Sequence, residues 1–118
     1  MRGMLQAACV LVVIGGAAGA EERKTVYIHS GYMKAEDCHE SSDNSMAWYM
    51  AGVVNGLLVS PFLGAPEARL KPLNQCLVGV STTQLAATLK KWLRENPERW
   101  HDGCHVAAFV ALKNMCKF

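Results

Sequence analysis

Basic blocks, glycine-rich loops and long apolar runs are all missing from this chain. Its 12 Lys and Arg nearly balance its 10 Asp and Glu, and the basic residues are scattered. A phosphate backbone therefore finds no footprint, and nucleic-acid binding is not expected. Gly52 and Gly56 stand inside an apolar segment and Gly15-Gly16 lies near the N-terminus, so no loop is built to cradle phosphate. The longest apolar stretches, Leu5 to Ile14 and Met46 to Leu58, fall short of the roughly 20 residues that cross a bilayer, and no membrane anchor is expected. Proline is scarce, and three of the four prolines crowd into Ser60–Gln75. The rest of the chain is left open to helix.

What is present begins with a leader. Arg2 is followed by an apolar run and then by small residues ending in Ala18-Gly19-Ala20. That order is the signature of a secretory signal peptide cleaved after Ala20, giving residues 1–20 as leader and 21–29 as an extended lead-in. Residues 30–118 form one small domain, which needs covalent staples because so short a chain buries a modest core. Cys38, Cys76, Cys104 and Cys116 supply them: an even cysteine count in an exported domain reads as disulfides, with three connectivities open.

The tract Cys76–Cys116 organises the domain as two helices. Ser81 and Gln84 form a capping box, and Leu85, Leu89, Trp92 and Leu93 then recur at helical spacing. Asn96-Pro97 stops that helix, with Pro97 expected as the first residue of the next one. In that second helix Val106, Phe109, Val110 and Lys113 share one flank. A short connection makes the two helices an antiparallel hairpin, which brings Cys76 to Cys116 and leaves Cys38 to pair with Cys104. Upstream, a first helix is expected over Ser30–Cys38, capped by Ser30, and His39–Ser45 reads as a polar turn. Met46–Leu58 is apolar almost all round, the pattern of a buried central helix. Its glycine pair, four apart, suits the close approach of a neighbouring helix. Ser60–Gln75 reads as a long non-helical connection with one turn at Pro66–Leu70. The expected class is all-α: a small bundle of about four helices stapled by two disulfides.

A search for reactive groups finds no catalytic constellation. His101 and His105 are four apart beside Cys104, but a metal site needs at least one more fixed ligand, and a disulfide takes the thiol. Cys38-His39 fails as a nucleophile pair for the same reason. No metal or cofactor is expected, and no enzyme. The elbow between the last two helices is different. Glu95, Glu98, Arg99, His101 and Asp102 surround Trp100, and Trp and Arg are over-represented among binding hot spots. The competing reading packs Trp100 down as the first core residue of the last helix.

An ordered set of residues carries a family resemblance. It comprises Tyr49, Gly52 and Val53; Cys76; Val80, Ser81, Gln84 and Leu85; Trp92 and Leu93; Asn96, Pro97 and Glu98; His101; Ala111 and Leu112; and Cys116. The pattern resembles the periplasmic Rap/Tai immunity proteins of type VI secretion. The resemblance implies an all-helical domain, commonly a homodimer, that binds and blocks a secreted peptidoglycan amidase effector in the periplasm. In that family a protruding loop plugs the amidase cleft. Carried over, the partner-binding residues are Glu95, Glu98, Arg99, Trp100 and His101. A small periplasmic chaperone of the acid-stress kind is the alternative function.

Overall fold

The computed structural model describes residues 25–118; the expected signal peptide over residues 1–20 and the first residues of the lead-in lie outside them. Among the described residues the regular structure is helical: α1 (Ala35–Glu40), α2 (Asp43–Leu58), α3 (Glu67–Leu77), α4 (Thr82–Glu95) and α5 (Cys104–Cys116), with 3-10 turns at Ser60–Leu63 and Pro97–Arg99.

Helix α4 is the element the others share. It starts at the capping box: Gln84 N–H donates to Ser81 Oγ at 3.1 Å, and Ser81 N–H donates to Gln84 Oε1 at 2.7 Å. Leu85, Ala86, Leu89 and Leu93 then bury one stripe. Helices α2 and α5 both pack against α4 and touch each other only lightly. α4 and α5 run antiparallel, since Thr88 Oγ1 meets Met115 Sδ near one end and Trp100 reaches Leu93 at the other. Both disulfides form as expected. Cys76–Cys116 closes one end of the hairpin with Cα atoms 5.4 Å apart, and Cys38–Cys104 ties α1 to the start of α5 at 6.2 Å.

The first two helices begin elsewhere than the sequence suggests. α1 starts at Ala35, after Lys34, and Lys34 N–H donates to the Asp37 carboxylate at 3.2 Å. Gly31 at φ 71° keeps the residues before it out of the helix. The expected turn at His39–Ser45 shrinks to two residues, because Ser42 Oγ accepts from Ser45 N–H and caps α2 three residues early.

α2 is also less buried than its composition implies. Met46, Ala47, Met50 and Val54 face α4, whereas Trp48 on the opposite side is 72% exposed. α4, with a lighter contact from α5, covers one side, and the outer side around Trp48 is left open among the described residues. The Ser60–Gln75 segment corrects in the opposite direction. Pro61 opens a 3-10 turn, Gly64 closes it at φ 96°, and α3 follows with Pro72 inside it. Pro72 removes one ladder bond, which this helix tolerates with a single buried side chain, Leu73, and a covalent tie through Cys76.

In α5 the buried side is Cys104, Ala107, Ala108, Ala111, Leu112 and Cys116, so the flank of Val106, Phe109 and Val110 lies at the rim. The reason is size. Alanines let α5 approach α4 and α1 closely, and the larger side chains are left at the edges of the contact.

Candidate partner-binding elbow

The elbow runs from Asn96 to Gly103. α4 ends because Pro97 forbids helical geometry at Asn96, whose backbone takes φ −131°, ψ 58°. Asn96 does not cap a new helix. Its Nδ2 turns back and donates to the Trp92 carbonyl at 2.8 Å. Pro97–Arg99 forms a single 3-10 turn, and α5 begins only at Cys104. His101 and His105 therefore do not share a helical face. His101 is exposed ahead of the helix, and the His105 ring packs where a Cβ on Gly31 or Gly103 would stand, 2.5–2.7 Å from such an atom.

The inner side of the elbow is clamped to the entry of α1. Cys104 N–H donates to the Met33 carbonyl at 2.7 Å, Ala35 N–H to Asp102 at 2.7 Å, and Glu36 N–H to Trp100 at 3.0 Å. Lys34 and Gly103 form an antiparallel bridge within this ladder. The Cys38–Cys104 disulfide sits beneath it with both residues fully buried. Trp100 adds a third fastening. It is half-buried, its indole N–H donates to the Leu93 carbonyl at 2.7 Å, and its ring stacks on His39 with centroids 4.3 Å apart.

The outer side carries charge. Glu95, Glu98, Arg99 and His101 are all exposed. Arg99 Nε pairs with Asp102 Oδ2, and His101 Nε2 lies 3.3 Å from the other oxygen of the same carboxylate. Asp102 thus holds both side chains at the tip. Glu95 stands apart on the last turn of α4, 4.0 Å from Lys91. Of the five residues singled out from sequence, Glu98, Arg99 and His101 form the exposed tip, Trp100 lies beneath it, and Glu95 flanks it.

Sequence reasoning missed the lead-in. Tyr27, Ile28, His29 and Ser30 form one wall of a cleft of about 340 Å³ whose other wall is Arg99, His101, Asp102 and Gly103. No local signal marks that wall; it follows from the Lys34–Gly103 bridge, a long-range pairing. Each cysteine among the described residues is in a disulfide, and no group of three or more candidate ligands there is placed to hold a metal ion. The arrangement offers hydrogen bonds, charge and a fixed shape.

Comparison of the chain with protein-family models, curated proteins and solved structures finds no match.

Proposed function

We propose that this chain is an immunity protein of the periplasm that binds and inhibits a peptidoglycan amidase effector delivered by type VI secretion. The observation that carries the reading furthest is the construction of the elbow. A charged tip held from beneath by a disulfide, a backbone ladder and a hydrogen-bonded indole nitrogen is ordered before any partner arrives. Preorganisation lowers the entropy lost on binding, which is what a stoichiometric inhibitor needs. Glu98, Arg99 and His101 would meet the polar positions that a peptide stem occupies in an amidase cleft, with Glu95 at the flank and Trp100 as support.

Two disulfides fit an oxidising compartment, and no helix among the described residues is long and apolar enough to cross a membrane. The family pattern also implies that two copies work together.

The test is inhibition of a candidate Cys–His amidase by the wild-type chain and by a Glu98→Ala/Arg99→Ala/His101→Ala variant. The three side chains are exposed, so unfolding stability should move by no more than about 0.5 kcal/mol per site while inhibition weakens by about tenfold or more. Unchanged inhibition would remove the elbow from the interface. If no amidase is retained in a periplasmic pull-down, the immunity reading itself fails. The chaperone alternative predicts apolar surface that opens in acid, seen as a rise in bound apolar dye together with loss of α3 protection.

A further inference from the structure

The 3-10 turn Ser60–Leu63 carries Phe62 and Leu63 side by side, 91% and 93% exposed, with Val59 half-exposed at its base. Apolar side chains scattered singly over a surface need no explanation, but a contiguous pair this open marks a docking surface. The backbone holds the pair there. Val59 N–H donates to the Asn55 carbonyl at 3.2 Å, Phe62 N–H to Val59 at 3.0 Å, Gly64 N–H to Pro61 at 3.0 Å and Ala65 N–H to Ser60 at 3.2 Å. Pro61 fixes its own φ, and Gly64 at φ 96° closes the turn ahead of α3.

We infer that Phe62 and Leu63 dip into the apolar boundary of an anionic phospholipid bilayer, with Arg69 and Lys71 at its headgroups. The chain then lies on the membrane without crossing it. No charged residue occurs from Asn44 to Pro66, so nothing in this stretch resists leaving water as an ion would. The first charges beyond the turn are Glu67, Arg69 and Lys71, all exposed on α3. Lys71 lines the same hollow as Leu58 and Pro61, which sets a cation beside the base of the turn. Neither Arg69 nor Lys71 has an ion-pair partner among the described residues. Two cations against one carboxylate add attraction to an anionic surface where the apolar pair alone holds weakly.

Two features select a bilayer over a pocket in another protein. In hydrocarbon a backbone donor must be satisfied from within, and this turn is built for that: the Phe62, Gly64 and Ala65 N–H groups bond inside it, and Pro61 has none. A protein site, by contrast, is fixed by polar anchors and by Trp, Tyr or Arg hot spots, with leucine under-represented. The exposed end of this turn offers Phe62 and Leu63 alone. A fluid apolar phase asks only for apolar area. The inference stands apart from the amidase reading, since it uses none of the elbow residues.

Co-sedimentation of the purified, disulfide-bonded protein, without its expected leader, with lipid vesicles tests it. The wild type should bind vesicles of equal parts phosphatidylcholine and phosphatidylglycerol weakly and reversibly, and pure phosphatidylcholine less well. Phe62→Ser/Leu63→Ser should lower the partition into both by about tenfold or more. Helix content by circular dichroism should not change, since both side chains are exposed. Arg69→Gln/Lys71→Gln should remove the difference between the two vesicles. Trp48→Ser controls for general adhesion: that side chain is 72% exposed, lies roughly 15 Å along α2 from Leu58, and should leave the partition unchanged. A wild type that binds neither vesicle, or binding indifferent to Phe62→Ser/Leu63→Ser, overturns the proposal. So does a preference for phosphatidylglycerol that survives the loss of both cations, or a loss with Trp48→Ser as large as that at the turn. Amidase inhibition that falls with Phe62→Ser/Leu63→Ser, in a protein that ignores vesicles, would assign the turn to a protein pocket instead.

Discussion

Removing the Cys38–Cys104 disulfide is the most informative perturbation of the elbow. The bond closes a loop of 66 residues, and the chain-entropy relation gives about 4 kcal/mol for that length. The second bond, closing 40 residues, gives nearly the same figure, so loop arithmetic alone cannot rank the two. Their surroundings can. Cys38 and Cys104 are fully buried where α1, the lead-in ladder and the α5 N-terminus meet, so a Cys38→Ala/Cys104→Ala chain loses packing as well as the crosslink. Cys76–Cys116 tethers α3, whose buried content is Leu73 and whose other ties to the core are few. Urea unfolding followed by circular dichroism should therefore show a loss of about 4 kcal/mol or more for the first pair. The slope should rise, because the uncrosslinked unfolded chain exposes more surface. In Cys76→Ala/Cys116→Ala, hydrogen exchange should speed up chiefly in α3, while α4 and the elbow keep most of their protection. A loss below about 1 kcal/mol for Cys38→Ala/Cys104→Ala would refute this reasoning and leave the backbone ladder and Trp100 as sufficient to hold the elbow.

Trp100→Phe keeps most of the packing but removes the shorter of the two hydrogen bonds to the Leu93 carbonyl, leaving that from Asn96 N–H at 3.3 Å, and should destabilise by about 1 kcal/mol in the same urea assay. Gly103→Ala should be worse than its small size suggests, since the new Cβ would stand 2.5 Å from the Ser30 carbonyl oxygen, a backbone atom that cannot swing away; a loss of about 1–3 kcal/mol is expected. Lys90 Nζ contacts Asp43 Oδ1 at 2.6 Å and the Ser41 carbonyl at 2.7 Å, and that partner holds the Asp43 carboxyl below its ordinary 3.8. A carboxyl lowered in the folded state contributes stability above its unfolded value, and the contribution is lost as pH falls from 3.8 toward the folded value. Lys90→Met should therefore flatten the acid limb of a stability–pH profile, and an unchanged limb would show that the pair contributes nothing there.

The helical class, the capping box of α4, the hairpin and both disulfides were legible because each rests on local pattern or on one step of geometry. The errors share a cause. Periodicity reports which residues are apolar without reporting which neighbour covers them, so α2 reads as central although α4, with a lighter contact from α5, covers it on one side. In α5 the shared flank of Val106, Phe109, Val110 and Lys113 was legible but not which side is buried, because helices pack closest where side chains are smallest, at Ala107, Ala108 and Ala111. The Ser60–Gln75 segment looked non-helical for its prolines, yet Pro66 stands just ahead of α3, a position a helix tolerates, and Pro72 spoils a single bond. The wall that the lead-in lends to the elbow cleft was invisible for a different reason: it depends on pairing Lys34 with Gly103, far apart in the chain.

The elbow divides its residues between holding the fold and facing solvent, and the division has a consequence for how a tip proposed to bind a partner would change. Trp100, Cys104, Gly103 and the carbonyl of Asp102 hold the fold, and substitutions there act on stability first. Glu98, Arg99 and His101 touch little besides the Asp102 carboxylate and solvent, so substitutions there leave stability within about half a kcal/mol. Partner choice could therefore be rewritten at the tip without reopening the core. A loop that carried its own packing would lack that freedom, because each change in specificity would also be a change in folding. The scaffold beneath would stay fixed meanwhile, since α4 buries Leu85, Ala86, Leu89 and Leu93 in the core and lends the tip only Glu95 at its edge.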